Sequence, residues 1–297
     1  MAERKKIQGF ANDRATLIDD LIKELDKKVT KAQEKLYISL FEDVISKLDI
    51  DGERIRNTQR NRRLLNSIDT IFNTFGKNQG IQIANELINS IDKVISFNAE
   101  YFTVIGGADV IDIEQQVRKS MNEWLGIEKG TLKTNGYLDK ILQDGTVRNQ
   151  VKDLAIKNII TQNGLAETTK QLSRLINGLS EAEAGSLQKY YKNFAYDTIA
   201  ISDRVVGMEY ANANGYECAV YEGGLIESSR LFCIERNGKV FHKSEIAKFN
   251  PPSAKPPNYN PFIDLGGFRC RHYLNWITNK LAIYLRPNIK ELLTFAS

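Results

Sequence analysis

The chain is poor in the residues that most often carry chemistry. It has three cysteines, two histidines, three methionines and two tryptophans in 297 residues. Three cysteines in a chain this long do not make the disulfide framework that holds small secreted domains together. No apolar run approaches the ~20 residues that a membrane helix needs. The first ten residues, MAERKKIQGF, carry charge but no apolar stretch, so no signal peptide is expected. A net charge of +4 is too small to argue for nucleic acid by itself. There is no phosphate-binding glycine loop, metalloprotease motif, nucleophile elbow or pair of catalytic carboxylates. No enzymatic activity and no cofactor are therefore expected. At 42% hydrophobic and 26% charged residues, the composition is that of a soluble protein with a substantial core, in one large or two smaller domains. A reducing cytoplasm suits the cysteine usage.

Helical periodicity dominates the first 180 residues. The segment 1–12 is polar and expected to be loose. From about Asp13, the residues Ile18, Ile22, Leu25, Val29, Ala32, Leu36, Leu40 and Val44 recur in steps of mostly three and four, which predicts one apolar stripe on a long helix. Such a helix fits either a bundle or an arm packed on a partner. Asp49-Ile50-Asp51-Gly52 breaks it. The spaced aspartates hint at a calcium loop, but the twelfth position is Arg60 where a bidentate acid is required, so calcium is rejected. Arg54, Arg56, Arg60, Arg62 and Arg63 then cluster. They are expected to form a solvated helix face, or to contact packaged DNA or an acidic partner. No aromatic residue interleaves with them to stack on bases.

Further helices are predicted over 64–75 and 81–102, with Gly76 and Gly80 breaking the chain between them. Others are predicted over 109–125, 147–160 and 165–176. Residues 126–136 are expected to form a loop or hairpin tip. Ser180 and Glu183 have capping-box spacing for the next helix, in which Tyr191, Phe194, Thr198, Ile201, Val205 and Met208 make the apolar stripe. Gly215 ends it, and 216–222 alternates as a strand.

The scarce residues gather late. Cys233, Cys270, both histidines and five of the six prolines lie between Ser228 and Trp276. There, 230–233 reads as a strand. Asn237-Gly238 is a hairpin signal leading to a returning strand at 239–241. The prolines at 251, 252, 256 and 257 exclude helix interior and central strand. Gly266-Gly267 frees a bend before a strand at 268–273, on which Cys270 and His272 share one face and Arg269 and Arg271 the other. Cys233, His242, Cys270 and His272 are residue types that zinc accepts, but neither cysteine has a partner at finger spacing. A Cys–His nucleophilic pair would lack an evident oxyanion loop and orienting group. The favoured reading is structural: two buried thiols, bridged or free, with His272 and Arg230 bonded to backbone in the proline-rich loop.

The succession Ser-Ser-Arg-x-Phe-Cys, Asn-Gly-Lys-Val-Phe and Gly-Gly-Phe-Arg-Cys-Arg-His resembles the C-terminal signature of the Mu F-like phage head morphogenesis (minor head) family. Arg230, Cys233, Gly238, Lys239, Val240, Cys270, Arg271 and His272 carry it, over about residues 185–280. With Asn237, His242, Gly266 and Gly267 they make up the expected structural motif. The resemblance implies a minor head protein of a tailed bacteriophage. Such a protein acts in procapsid assembly at or near the portal vertex and is present in several copies per virion, inside the capsid. Its expected partners are the portal protein, other head proteins and the packaged DNA, with no membrane contact. An internal virion DNA-binding protein using Arg54–Arg63, or a cysteine hydrolase, are the alternative readings. The expected fold is mainly α: an elongated helical region over 1–180, then a small α+β module over 185–297 with a short hairpin.

Overall fold

The computed structural model describes residues 2–293 apart from 130, 143–144, 180–182 and 253–254. About 66% of it is helical, with long N-terminal helices and a small three-stranded antiparallel sheet near the C-terminus. Among the described residues no helix is long and apolar enough to cross a membrane.

In chain order, α1 (Ala2–Asp43) leads to a short hairpin, β1 (Ile50–Asp51) and β2 (Arg54–Ile55). Then come α2 (Gln59–Phe75), α3 (Ile81–Val104) and α4 (Val110–Leu125), a second hairpin of β3 (Ile127–Glu128) and β4 (Thr131–Leu132), α5 (Tyr137–Leu142), α6 (Thr146–Ile160) and α7 (Leu165–Asn177). The last part holds α8 (Ser186–Ala213), β5 (Cys218–Gly223), α9 (Leu231–Arg236), β6 (Lys239–His242), α10 (Lys243–Ile246), β7 (His272–Ile277), α11 (Asn279–Leu285) and α12 (Lys290–Leu293).

The chain divides into two compact units that do not follow a linear split near residue 180. One comprises Met1–Ile22, Ile88–Trp124 and Ala195–Ser297; the other comprises Lys23–Leu87 and Leu125–Phe194. The start of the chain therefore belongs with its end. Residues 2–12 are helical, not loose, because they have packing partners: the Phe10 ring meets Phe97 and Tyr101 edge-on at 5.7 and 5.5 Å. The Ala11 carbonyl also accepts from the Tyr273 hydroxyl.

In α1 the predicted stripe holds from Leu25 through Val29, Ala32, Leu36 and Leu40, all buried. Nearer the N-terminus the buried line shifts to Ala11, Arg14 and Leu21, and Ile18 and Ile22 are half-buried. The glycines at 76 and 80 do not break the chain; they bound one π-helical turn between α2 and α3. In the second unit Ile68 of α2, Val151 and Ala155 of α6 and Leu172 of α7 line a common apolar interior with Leu40 and Val44. The Asp49–Gly52 segment holds β1 and opens the β1–β2 turn, with Gly52 at φ +60°. The carboxylates there meet arginines: Arg60 lies 2.9 Å from Asp49 and Arg56 3.4 Å from Asp51. Asn61, fully buried, ties the hairpin to α2 by bonding the Asp49 amide and the carbonyls of Asp49 and Arg56.

The capping box expected at Ser180 lies outside the described residues, as do the side chains of Tyr191 and Phe194. Further along α8, Thr198 of the expected stripe is buried but Ile201, Val205 and Met208 are only half-buried, and the other buried positions include Ile199, Val206, Tyr210, Ala211 and the polar Ser202, Asp203 and Arg204. A helix enclosed on several sides has no single apolar stripe, and its polar residues are tolerated because they have partners inside.

The sheet order is β6-β5-β7, antiparallel throughout, with Tyr221 opposite Lys239 and Leu274 and Gly223 opposite His272. Residues 230–233 do not form a strand. Arg230 caps the short α9, and the turn at Gly238 (φ +76°) then delivers β6. The strand expected over 268–273 begins only at His272, because Leu265, Gly267 and Arg269 all have positive φ. The described residues between 255 and 271 make a turn-rich crossover, as the prolines and glycines lead one to expect, and it runs further than expected before β7 starts.

α10 shows how the C-terminal elements are fixed. Its cap is His242, whose ring accepts from the Ser244 amide, and Glu245 accepts from the His242 amide at 2.9 Å. The Arg286 guanidinium, just after α11, grips the same carboxylate with two bonds of 2.6 and 2.8 Å. Burial alone would raise the Glu245 pKa, but the bonds from Arg286 and His242 outweigh it and hold it below the ordinary 4.5. A depressed carboxylate contributes stability that is present above its unfolded-state pKa and lost as pH falls through the folded value. Stability of wild type is therefore expected to drop on acidification below about 4.5. Glu245→Gln should remove that part of the drop in urea titrations run across the range.

A buried cysteine, histidine and tyrosine cluster

Three elements and one loop bring the scarce residues together. Cys233 sits on the buried face of α9, Cys270 on the turn before β7, His272 at the first position of β7 and Tyr221 on the central strand β5. None is open to solvent: Cys233 is 2% exposed, Cys270 3%, His272 3% and Tyr221 0%. The two sulfurs are 3.9 Å apart, both thiols are free, and Cys270 Sγ is 3.8 Å from His272 Nδ1. The Tyr221 hydroxyl lies 3.3 Å from Cys233 Sγ and 3.8 Å from Cys270 Sγ, and its ring stacks on the His272 imidazole at 5.0 Å. His272 Nε2 is buried without a hydrogen-bond partner.

The two thiols hold their protons unequally. The hydrogen bond to Cys270, with burial, pushes Cys233 up. The same bond holds Cys270 well below the usual thiol range against burial, helped by His272 and the Arg204 guanidinium. Burial also pushes the third thiol, Cys218, up to about 12, and it stands apart from the cluster.

Two further residues shape the cluster. Gly266 donates its amide to Cys270 Sγ at 3.3 Å, and a Cβ at this position would lie 2.4 Å from Cys233 Sγ and 3.0 Å from Cys270 Sγ. Gly266→Ala should therefore push the sulfurs apart and cost about 1–3 kcal/mol, as overpacking in a filled core does. Chemical denaturation would measure this. Arg204 of α8 is the second. Its guanidinium donates to the carbonyls of His272 at 3.0 Å, Ile263 at 2.7 Å and Cys270. This buried cation stitches the crossover to β7, and no motif in the sequence singles it out. An arginine inside a long helix looks like a surface residue until its carbonyl partners are known.

Of the expected motif residues, Cys233, Cys270 and His272 come together, with Gly266 against the sulfurs. His242 does not join them; it is spent on capping α10. Arg230 bonds the Phe268 carbonyl at 2.7 Å, beyond the proline-rich loop in which its partner was expected. His272 turns its Nδ1 to Cys270 instead of to loop backbone. Arg271 points away and pairs with Asp19 of α1 through bonds of 2.7 and 2.8 Å. Asn237 and Gly238 end α9 and turn the chain into β6, and Gly267 sits in the crossover at φ +91°.

A second polar interior lies in the same compact unit. Arg14, 3% exposed, donates to Asn275 Oδ1 at 2.7 Å and Asn98 Oδ1 at 2.9 Å, and its Nε is 3.5 Å from Asp203. Asn98 in turn donates to Asp203 at 2.9 Å, and Asn275 donates to Glu222. All of these groups are at most 9% exposed.

Comparison of the chain with protein-family models, with curated proteins and with solved structures returned no match.

Proposed function

We propose that this chain is a structural and assembly protein of the head of a tailed bacteriophage, acting at or near the portal vertex. The support is the placement of the residues that carry the resemblance. Cys233, Cys270 and His272, spread over forty positions of sequence, converge in one sealed cluster. Around them Arg230 bonds across to the crossover, and Gly238, Lys239 and Val240 turn into and form β6. Residues that converge to hold a small module together behave as a fold signature, which is what a family of assembly proteins shares.

The same geometry argues against the two other readings. A hydrolytic thiol must meet a substrate carbonyl carbon, and sulfurs 2–3% exposed behind Tyr221 and Gly266 cannot do so without opening the module. In the arginine cluster Arg56 and Arg60 face Asp51 and Asp49, and Arg62 bonds Asn57 through two donors at 3.1 and 2.9 Å. Two of the five guanidinium charges offered to a phosphate backbone are thereby met by carboxylates of the hairpin.

The test is co-expression with the candidate portal protein and mass determination of what co-purifies. A complex of fixed stoichiometry supports the proposal. A chain that ignores the portal but binds DNA with a steep salt dependence, lost when the Arg54–Arg63 arginines are replaced, overturns it in favour of an internal DNA-binding protein.

A further inference from the structure

We propose that Cys233, Cys270 and His272 bind one zinc ion, with the Tyr221 hydroxyl oxygen at the fourth corner. The inference stands on the geometry of the cluster and does not depend on the head-protein reading.

Tetrahedral zinc, with sulfur at ~2.3 Å and nitrogen at ~2.0–2.1 Å, sets its ligands ~3.8 Å apart for two sulfurs and ~3.6 Å for sulfur and nitrogen. The observed separations are 3.9 Å between the sulfurs and 3.8 Å between Cys270 Sγ and His272 Nδ1. An oxygen ligand at ~2.0 Å would lie ~3.5 Å from each sulfur. The Tyr221 oxygen lies at 3.3 and 3.8 Å. All the donor atoms of the three main ligands fall within 4.8 Å of one another, so the remaining edge shortens modestly when the ion enters. Four of the six edges of a tetrahedral site are thus close to the lengths that zinc sets.

The surroundings suit a thiolate-bound ion. Gly266 N–H points at Cys270 Sγ from 3.3 Å, the outer hydrogen bond that orients and stabilises metal-bound sulfur. The missing Cβ at Gly266 keeps the space over both sulfurs open. Charge balances too. Zn2+ displaces one proton from each thiol to solvent, and two thiolates, a neutral imidazole and a neutral phenol leave the site with no net charge. That is the condition for burying an ion at low cost. Two sulfurs and a nitrogen are soft or borderline donors that select zinc over calcium or magnesium, which take oxygen. Finger-type spacing is not required, because the ligands come from α9, the crossover, β7 and β5 rather than from one knuckle. A closed site of this kind is structural: it ties the crossover and α9 to the sheet.

The test uses the untagged full-length chain, produced with zinc in the medium and purified with a reductant. About one zinc per chain should survive gel filtration, measured by atomic emission. Replacing zinc with Co2+ should give the intense visible bands and sulfur-to-metal charge-transfer absorption of a tetrahedral thiolate site. Cys218→Ser, which alters a buried thiol outside the cluster, should keep both signals. Cys233→Ser and Cys270→Ser should lose stoichiometric binding, and Tyr221→Phe should weaken it and change the Co2+ spectrum. Absence of retained zinc together with a weak, octahedral Co2+ spectrum in the wild-type chain overturns the proposal. So does a metal-free chain in which peptide mass mapping shows Cys233 and Cys270 joined as a disulfide. Both wild-type readouts decide the matter even if a cysteine variant fails to fold.

Discussion

Arg14→Met is expected to be among the most damaging single changes in this chain, at about 3–5 kcal/mol. Methionine keeps much of the volume and the apolar stem, so the loss reports the missing charge and its hydrogen bonds more than a cavity. The Arg14 guanidinium carbon lies 5.6, 5.3 and 5.2 Å from the rings of Phe97, Tyr101 and Tyr273, which shield it from water. Without the guanidinium, the carboxylate of Asp203, 3% exposed, keeps the Asn98 amide but loses its positive partner. The Asn275 and Asn98 oxygens lose their donors as well. A buried uncompensated charge costs more than the intact pair ever contributed. Urea denaturation should show a lower midpoint, and Asp203→Asn placed on the Arg14→Met background should recover part of it, since the two sites couple. A loss under about 1 kcal/mol would show that water reaches this network and that Arg14 is not what holds the start of the chain to the C-terminal sheet.

Arg204→Met ranks next, at about 3 kcal/mol or more, because hydrogen bonds to a charged donor are worth about 1.5–3 kcal/mol and three carbonyls share this one. The carbonyls of Ile263 and Cys270 belong to a crossover that has little regular structure to satisfy them, and that of His272 opens β7. Stability alone does not separate this role from simple packing, so thiol labelling is the second readout. With Arg204 replaced, Cys233 and Cys270 should react with a thiol reagent well before Cys218, whose strand does not depend on the crossover. Uniform labelling of all three would mean that the whole unit opens together and that Arg204 has no special hold on the cluster.

The helices were readable because a helix stripe is a local property. The residues from Leu25 to Leu40 repeat in steps of three and four, and any partner surface would bury that same side. Signals that rest on one or two residues fared less well. Asn237-Gly238 marks a turn correctly, but what precedes it is a helix, because Phe232 and Cys233 need an inward face while Leu231 and Ile234 face out. His242 and His272 look equivalent in the sequence. One caps a short helix, the other enters the cluster, and only the register of β6 and β7 against β5 separates them. Residues 2–12 read as a loose polar leader because the rings and the hydroxyl that pack on them lie far along the chain, from Phe97 to Tyr273.

What the sequence determined by itself is the class of the fold and the location of its unusual part. Periodicity and the confinement of cysteine, histidine and proline to one segment are written in neighbouring residues, and local physics reads them. The tertiary structure decided which of those residues meet. It joined the first twenty-two residues to the last hundred, placed Arg14 and Arg204 inside, and set two sulfurs, an imidazole and a phenol within ligand distance of one another. Those pairings depend on contacts between segments up to 262 positions apart, and no local pattern encodes a contact of that range.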